Sequence, residues 1–254
     1  MALVVTGADF FRGPPLSEFM LFDIMDSNPA KEGLLGSYFL GNRNADPTYN
    51  FANPSLPLLA VGDIPTQSKY ATLSKSGFYD TGIPSETNIT LIALSRQPSS
   101  GSTGITISSY LNDASGTTGD TLMDRWSGAD AQVAFYAQSS ATAVTQAARN
   151  TDVSAGEFHV YGALISGLAI GAWTMSEVSA PGHTDTLMTG RGVSSRTLRM
   201  GTTYSESAFL TASIDLSAAL IYNGNIGSAN MTAVMNWLRN VVGVEAGIWS
   251  APKA

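Results

Sequence analysis

From Gly33 onward the chain alternates short apolar runs with turn-forming residues. The runs at 34–40, 56–61, 70–73, 89–94, 105–110, 133–137, 158–165 and 168–175 have the length and composition of strands. Between them stand turn signals such as Pro98-Ser-Ser-Gly101, Ser115-Gly-Thr-Thr-Gly119 and Ser166-Gly167. The Ser166-Gly167 pair predicts a hairpin, because glycine supplies the positive φ that a two-residue turn needs. Strict alternation in 213–223 places Ile214, Leu216, Ala218, Leu220 and Tyr222 on one face of a strand, with Asp215 and Ser217 on the other. The period then lengthens. After a turn at 224–227, Met231, Val234, Met235 and Leu238 recur at helical spacing behind Ser228, which reads as the N-cap of a helix over 228–240. Residues 1–33 have another texture, with Pro14-Pro15 and a short helical stripe of Leu16, Phe19, Met20 and Phe22, and read as an N-terminal arm or attachment segment. The remainder, 34–254, reads as one all-β domain closed by a single short helix.

Leu198-Arg-Met-Gly201, Phe209, Leu220-Ile-Tyr-Asn223, Asn225-Ile226 and Asn236-Trp237-Leu238 together resemble the C-terminal signature of concanavalin A-like (laminin G-like) jelly-roll domains. Gly77-Phe-Tyr-Asp-Thr-Gly82 and 87–96 agree more loosely. The resemblance implies a two-sheet antiparallel jelly-roll sandwich with one short C-terminal helix. That fold hosts lectins, glycosidases, lyases, adhesion modules and virion parts, so function rests on sites. A stand-alone domain of this kind is similar to tailed-bacteriophage virion proteins. It implies a non-enzymatic tail appendage, fibre-associated or capsid-decorating protein, located in the virion, partnered by other virion proteins, homo-oligomeric and in contact with host glycan. The alternative is a free carbohydrate-active protein, either a lectin-like module or a polysaccharide lyase or hydrolase.

Composition narrows this further. The 254 residues suit one large β-sandwich, and charged residues make up only 13%, about half the usual share. A net charge of −7 argues against a phosphate-backbone partner, so no nucleic acid is expected. There are no cysteines, hence no disulfide or thiolate site, which fits a reducing compartment. The first six residues lack the basic segment of a secretory signal, and the chain reads as mature as written. The near-apolar stretch 160–173 is interrupted by Gly162, Ser166 and Gly167, so no membrane insertion is expected. Asn88-Ile-Thr90 and Asn230-Met-Thr232 match the glycosylation pattern and read as coincidences.

Common hydrolase and nucleotide motifs are absent, and no strand carries the alternating carboxylates of jelly-roll glycosidases, whose pair must stand about 5–5.5 Å apart. The expectation is therefore a protein that is not an enzyme. His183-Thr-Asp185 reads as a loop turn, and His159 as a polar residue at a strand end. The densest polar segment is 112–130. Asp113, Ser115, Thr117 and Asp124 echo the oxygen spacing of a Ca2+ loop, although Thr118 replaces the glycine of the sharp turn. The same segment offers a carbohydrate site, with Trp126 as stacking platform and Asp113, Asp124 and Asp130 as hydroxyl acceptors; Trp126 reads equally as a rim residue of the core. Trp173 and Trp237 are expected to pack, and Trp249 to cover a sheet edge or a neighbouring subunit.

Overall fold

The computed structural model describes residues 16–42, 44–205 and 212–250; residues 1–15 of the expected arm and Phe209 lie outside them. Helix α1 (Leu16–Asp26) precedes the strands β1 (Leu34–Phe39), β2 (Leu59–Gly62), β3 (Ala71–Leu73), β4 (Gly77–Pro84), β5 (Ile89–Arg96), β6 (Thr103–Ser108), β7 (Leu111–Asp113) and β8 (Gly116–Thr118). There follow β9 (Thr121–Ser127), β10 (Asp130–Gln138), β11 (Val144–Asn150), β12 (Phe158–Ser166), β13 (Ala169–Met175), β14 (Gly182–Leu187), β15 (Thr197–Met200) and β16 (Ile214–Asn223). The C-terminal helix then runs through α2 (Gly227–Trp237), a π-helical turn (Leu238–Val242) and α3 (Gly243–Glu245).

Two seven-stranded antiparallel sheets make a β-sandwich, as the alternation of the chain predicts. The first has the order β1-β16-β5-β12-β13-β14 with β3 also paired to β16, and the second has the order β11-β10-β9-β6-β15-β4-β2. The β12–β13 hairpin closes at Ser166↔Ala169, with Gly167 at φ 60 on the first turn position. That conformation costs glycine nothing and would strain any residue with a Cβ.

The central strands of the first sheet, β5, β12 and β16, are buried on both faces, which is why they read as nearly continuous apolar runs. Its inner face meets the second sheet, with Leu91, Tyr161 and Ile221 opposite Ile107, Leu122 and Phe135. The outer face carries a second core, in which Ile92, Leu94, Val160 and Leu220 pack against Met231, Val234, Met235 and Leu238 of the C-terminal helix. Each such buried side chain stabilises the fold by about 1.5–3 kcal/mol. Gly162 makes the approach close, since a Cβ there would stand 2.6 Å from both Met231 Cε and the Leu91 carbonyl oxygen.

Three local expectations are corrected. In β16 the alternation does not hold along the whole strand: a register shift between Leu216 and Ala218 leaves Ser217 as an extra residue. Ile214 and Leu216 therefore enter the inter-sheet core, while Ala218, Leu220 and Tyr222 enter the outer one, because a bulge inverts the phase of every residue beyond it. The helix begins at Gly227, its N-cap is Ile226, and Ser228 lies inside the helix. Asn225 Oδ1 accepts the Gly227 N–H at 2.8 Å, which is the role expected of Ser228. In α1 the side chains are described from Met20 onward, so Leu16 and Phe19 of the expected stripe lie outside them; among those described Leu21, Ile24 and Met25 are buried, and Met20 and Phe22 are exposed. Residues 20–33 are thus packed on the sandwich, with the Trp237 indole donating to Ser27 Oγ at 2.9 Å and Asn28 Nδ2 to the Tyr222 hydroxyl at 3.3 Å.

Candidate functional site

The interior of the sandwich becomes polar toward one end. There Asp124, on β9 of the second sheet, meets His159, on β12 of the first, at 2.5 Å, and both side chains are fully buried. Beside them Tyr161 shares its hydroxyl with Thr106 and accepts from Ser95 Oγ at 2.9 Å. Thr106 is available to that hydroxyl because β6 shifts register between Ile105 and Ile107. Burial holds the Asp124 carboxyl above its ordinary range, although His159 and Gln97 oppose the shift, and burial likewise raises Tyr161. Because neither partner has exposed surface, the pair ties the two sheets together and meets no solute. His159, which stands at the start of β12 as expected, is therefore also an internal strut, buried against Asp124. It points inward because it shares the face of Tyr161, Ala163 and Ile165.

The residues singled out in 112–130 are not gathered into one place. Asp113, Ser115 and Thr117 lie on the β7–β8 hairpin, where Asp113 Oδ1 accepts from the Ser115 N–H at 2.8 Å and Oγ at 2.5 Å, and these bonds hold its carboxyl below the ordinary range. This hairpin bonds to the β10–β11 loop through Thr117 N–H and the Thr142 carbonyl at 3.0 Å, at the Thr121 end of β9. Asp124 is inside the sandwich, and Asp130 is exposed at the far end of β9–β10, opposite Ser127. Trp126 is half-buried and its indole N–H is spent on the Pro98 carbonyl at 2.9 Å. Among the described residues no group of three His, Cys, Asp or Glu is placed to hold a metal ion. His183 and Asp185 are not in a loop either. They belong to the edge strand β14, where His183 stacks on Trp173 at 4.2 Å between ring centres and its Nε2 stands 3.5 Å from Asp185 Oδ2.

Chemistry is concentrated instead on the outer face of the first sheet, at its end. Register places Phe158, Arg96, Asp215 and Thr72 in one row across four neighbouring strands. The Arg96 guanidinium contacts the Asp215 carboxylate, whose other oxygen accepts from Thr72 Oγ1 at 2.6 Å. Arg96 also lies over the Tyr70 ring at 4.8 Å, and Tyr70 packs on Phe158 at 5.8 Å. Two open grooves flank this row and meet at Gly156. One, of about 560 Å³, runs along Arg96, Gln97, Ser99, Ser102, Ser213 and Asp215. The other, of about 400 Å³, is lined by the rings of Phe158 and Trp249, by Ile248, and by Asp152, Glu157 and Glu177.

Local structure explains why Trp249 stands there. The chain turns back after α3 with the Ile248 N–H on the Gly243 carbonyl at 2.8 Å, and the indole lies against Gly243, where a Cβ would collide with it. Opposite, Arg239 donates to the carbonyls of Ser176, Glu177 and Ser179 at 3.4, 3.4 and 2.8 Å and holds the 176–179 loop to the helix. Asp152 accepts from Ser176 Oγ at 3.2 Å, and Glu157 from the Ser154 N–H at 3.0 Å. The result is an aromatic surface beside carboxylates with free lone pairs, an arrangement that takes an apolar ring face and accepts hydrogen bonds from its substituents. Sequence reasoning missed this groove, since its members come from three separate segments. The available signal was Trp249, an aromatic residue beyond the last regular element.

No family model matches the chain, and no curated protein matches it. Solved structures do. A mutant of Trypanosoma rangeli sialidase displaying trans-sialidase activity superposes with a TM-score of 0.58 at 10% identity, over 87% of this chain and 34% of that one. The botulinum neurotoxin serotype D binding domain gives a TM-score of 0.55 at 10% identity, over 84% of this chain and 52% of that one. The botulinum neurotoxin type C structure, whose cell entry depends on interaction with two ganglioside molecules, gives 0.53 at 10% identity over 82% and 52%. At such identity the likeness is one of fold, the β-sandwich, and this chain spans about a third to a half of those proteins. One expectation is corrected here. The expectation that the protein is not an enzyme loses its ground, because sialidases, which are enzymes, share this fold with most of the chain, and fold alone assigns neither catalysis nor binding.

Proposed function

We propose that this protein is a glycan-recognition module whose sugar groove lies between Phe158, Trp249 and the 176–178 loop. A single observation carries the reading: two half-buried aromatic rings line the same open groove as Asp152, Glu157 and Glu177. A pyranose ring offers an apolar face for the aromatic surface and a rim of hydroxyl donors for the carboxylates, and charge-assisted bonds of that type are the stronger ones. The ganglioside-dependent toxin of the same fold supports glycan recognition in general by analogy, and bears on neither this groove nor the kind of sugar.

A glycan array, followed by calorimetry of the best binder, tests the reading. Trp249→Ala and Phe158→Ala are each expected to weaken binding about tenfold, the loss of one stacking contact. The same panel is assayed by mass spectrometry for cleaved products, so that hydrolysis or elimination is read alongside binding. Binding that survives both substitutions overturns the placement in this groove.

In its finer form the module rides on a bacteriophage particle as an oligomer that contacts host-surface glycan. The resemblance of the closing strand and helix supports that form. Light scattering of the full chain and of a chain lacking residues 1–15 tests it; deletion to residue 33 would remove α1 from the second core. An oligomer that dissociates on truncation supports attachment through the arm, and a monomer in both forms overturns it.

A further inference from the structure

We infer that the groove selects neutral or amino-substituted sugars and rejects acidic ones such as sialosides and uronates. This rests on the glycan reading above and deepens it. The charged side chains that line the Phe158–Trp249 groove are Asp152, Glu157 and Glu177, all exposed and all acidic. Among the described residues the cations around it are turned elsewhere. Arg239 holds three main-chain carbonyls, Lys69 holds the Gly247 carbonyl, and neither lines the groove. Arg96, in the adjoining groove, is closed on Asp215 and covered by Tyr70. A sugar carboxylate entering here would give up water beside like charges, with no guanidinium or ammonium among the described lining residues to receive it. Recognition of carboxylates normally relies on such a cation. Hydroxyl and ammonium groups, in contrast, donate to the carboxylates already in place. Among the described residues, these three carboxylates do not form a group of three placed to hold a metal ion.

The experiment compares matched oligosaccharides with the full chain: an asialo core, its sialylated form, and neutral, amino-sugar and uronate oligomers of equal length. Measurements at low and high salt accompany a variant carrying Asp152→Asn, Glu157→Gln and Glu177→Gln. These amides keep the acceptors for Ser176 and Ser154, so the loops retain their bonds. The sialylated or uronate form is expected to bind on the order of tenfold or more weakly than its neutral match. High salt should narrow that gap and weaken amino-sugar binding, and the triple variant should remove the discrimination. An acidic glycan bound as tightly as its neutral match overturns the inference and leaves the glycan reading standing. No binding to any member of the panel overturns the glycan reading, and this inference with it.

Discussion

Asp124 and His159 face each other at 2.5 Å across the interior of the sandwich, one from each sheet and neither with exposed surface. Burial is the dominant influence on Asp124 and raises its pKa, so the folded state favours the protonated carboxyl. Its contribution to stability is thus complete below the unfolded value, about 3.9, and is lost as pH rises through the raised folded value. Asn at this position binds no proton and keeps the shape. Urea unfolding at about pH 4 and about pH 7 should therefore show Asp124→Asn gaining on the wild type as pH rises. A difference that moves the other way would mean that the buried Asp124 carboxyl is held ionised.

Gly243 is required by its neighbour and not by its own backbone. It lies in a helix, where alanine is ordinarily better by about 1 kcal/mol. The Trp249 ring occupies the space of its missing Cβ, so Gly243→Ala should instead cost about 1–3 kcal/mol and displace the indole. Thermal unfolding, the tryptophan emission maximum and glycan affinity should change together. An unchanged emission spectrum would place Trp249 away from Gly243.

At the opposite end, Arg191 forms a two-pronged pair with Asp120 at 2.7 and 2.8 Å and also donates to the carbonyls of Thr87, Glu86 and Gln138. Both side chains are almost fully buried, so the planar fork matters as much as the charge. Arg191→Lys, which keeps the charge and loses the fork, should destabilise the protein by about 2–4 kcal/mol in equilibrium unfolding. A loss below about 1 kcal/mol, the size of a surface pair, would show that solvent reaches this site.

Tyr222 joins the outer core to Asn28, and burial pushes its hydroxyl up to about 12. A raised pKa supplies stability below the unfolded value, about 10, that is lost as pH climbs toward the folded one. Tyr222→Phe should cost about 1 kcal/mol near neutral pH through the lost hydrogen bond, and should unfold less steeply with alkali than the wild type. Equal alkaline sensitivity in both proteins would assign that transition to another tyrosine.

The candidate site was the least legible part of the sequence. Asp113 to Asp130 drew attention because its polar residues are adjacent in sequence, yet the fold spreads them over a hairpin, a buried strand and a distant turn. Trp249, Phe158 and Glu177 carry no common motif, and only the return of the chain after α3 and the Arg239 bonds to the 176–179 loop place them on one groove.

What the sequence determined by itself was the local order: strands from apolar runs, the Gly167 hairpin from its glycine, and the closing helix from the change of period after Asn223. These follow from steric and periodic preferences that act over a few residues. Tertiary structure alone decided the faces and the partners. One extra residue at Ser217 sends Leu216 and Ala218 into different cores, and pairing of β5 with β12 and β16 aligns Arg96 with Phe158 and Asp215. Alternation states only that neighbours point to opposite sides; which side is buried, and against what, depends on strand register set by residues far away in the chain.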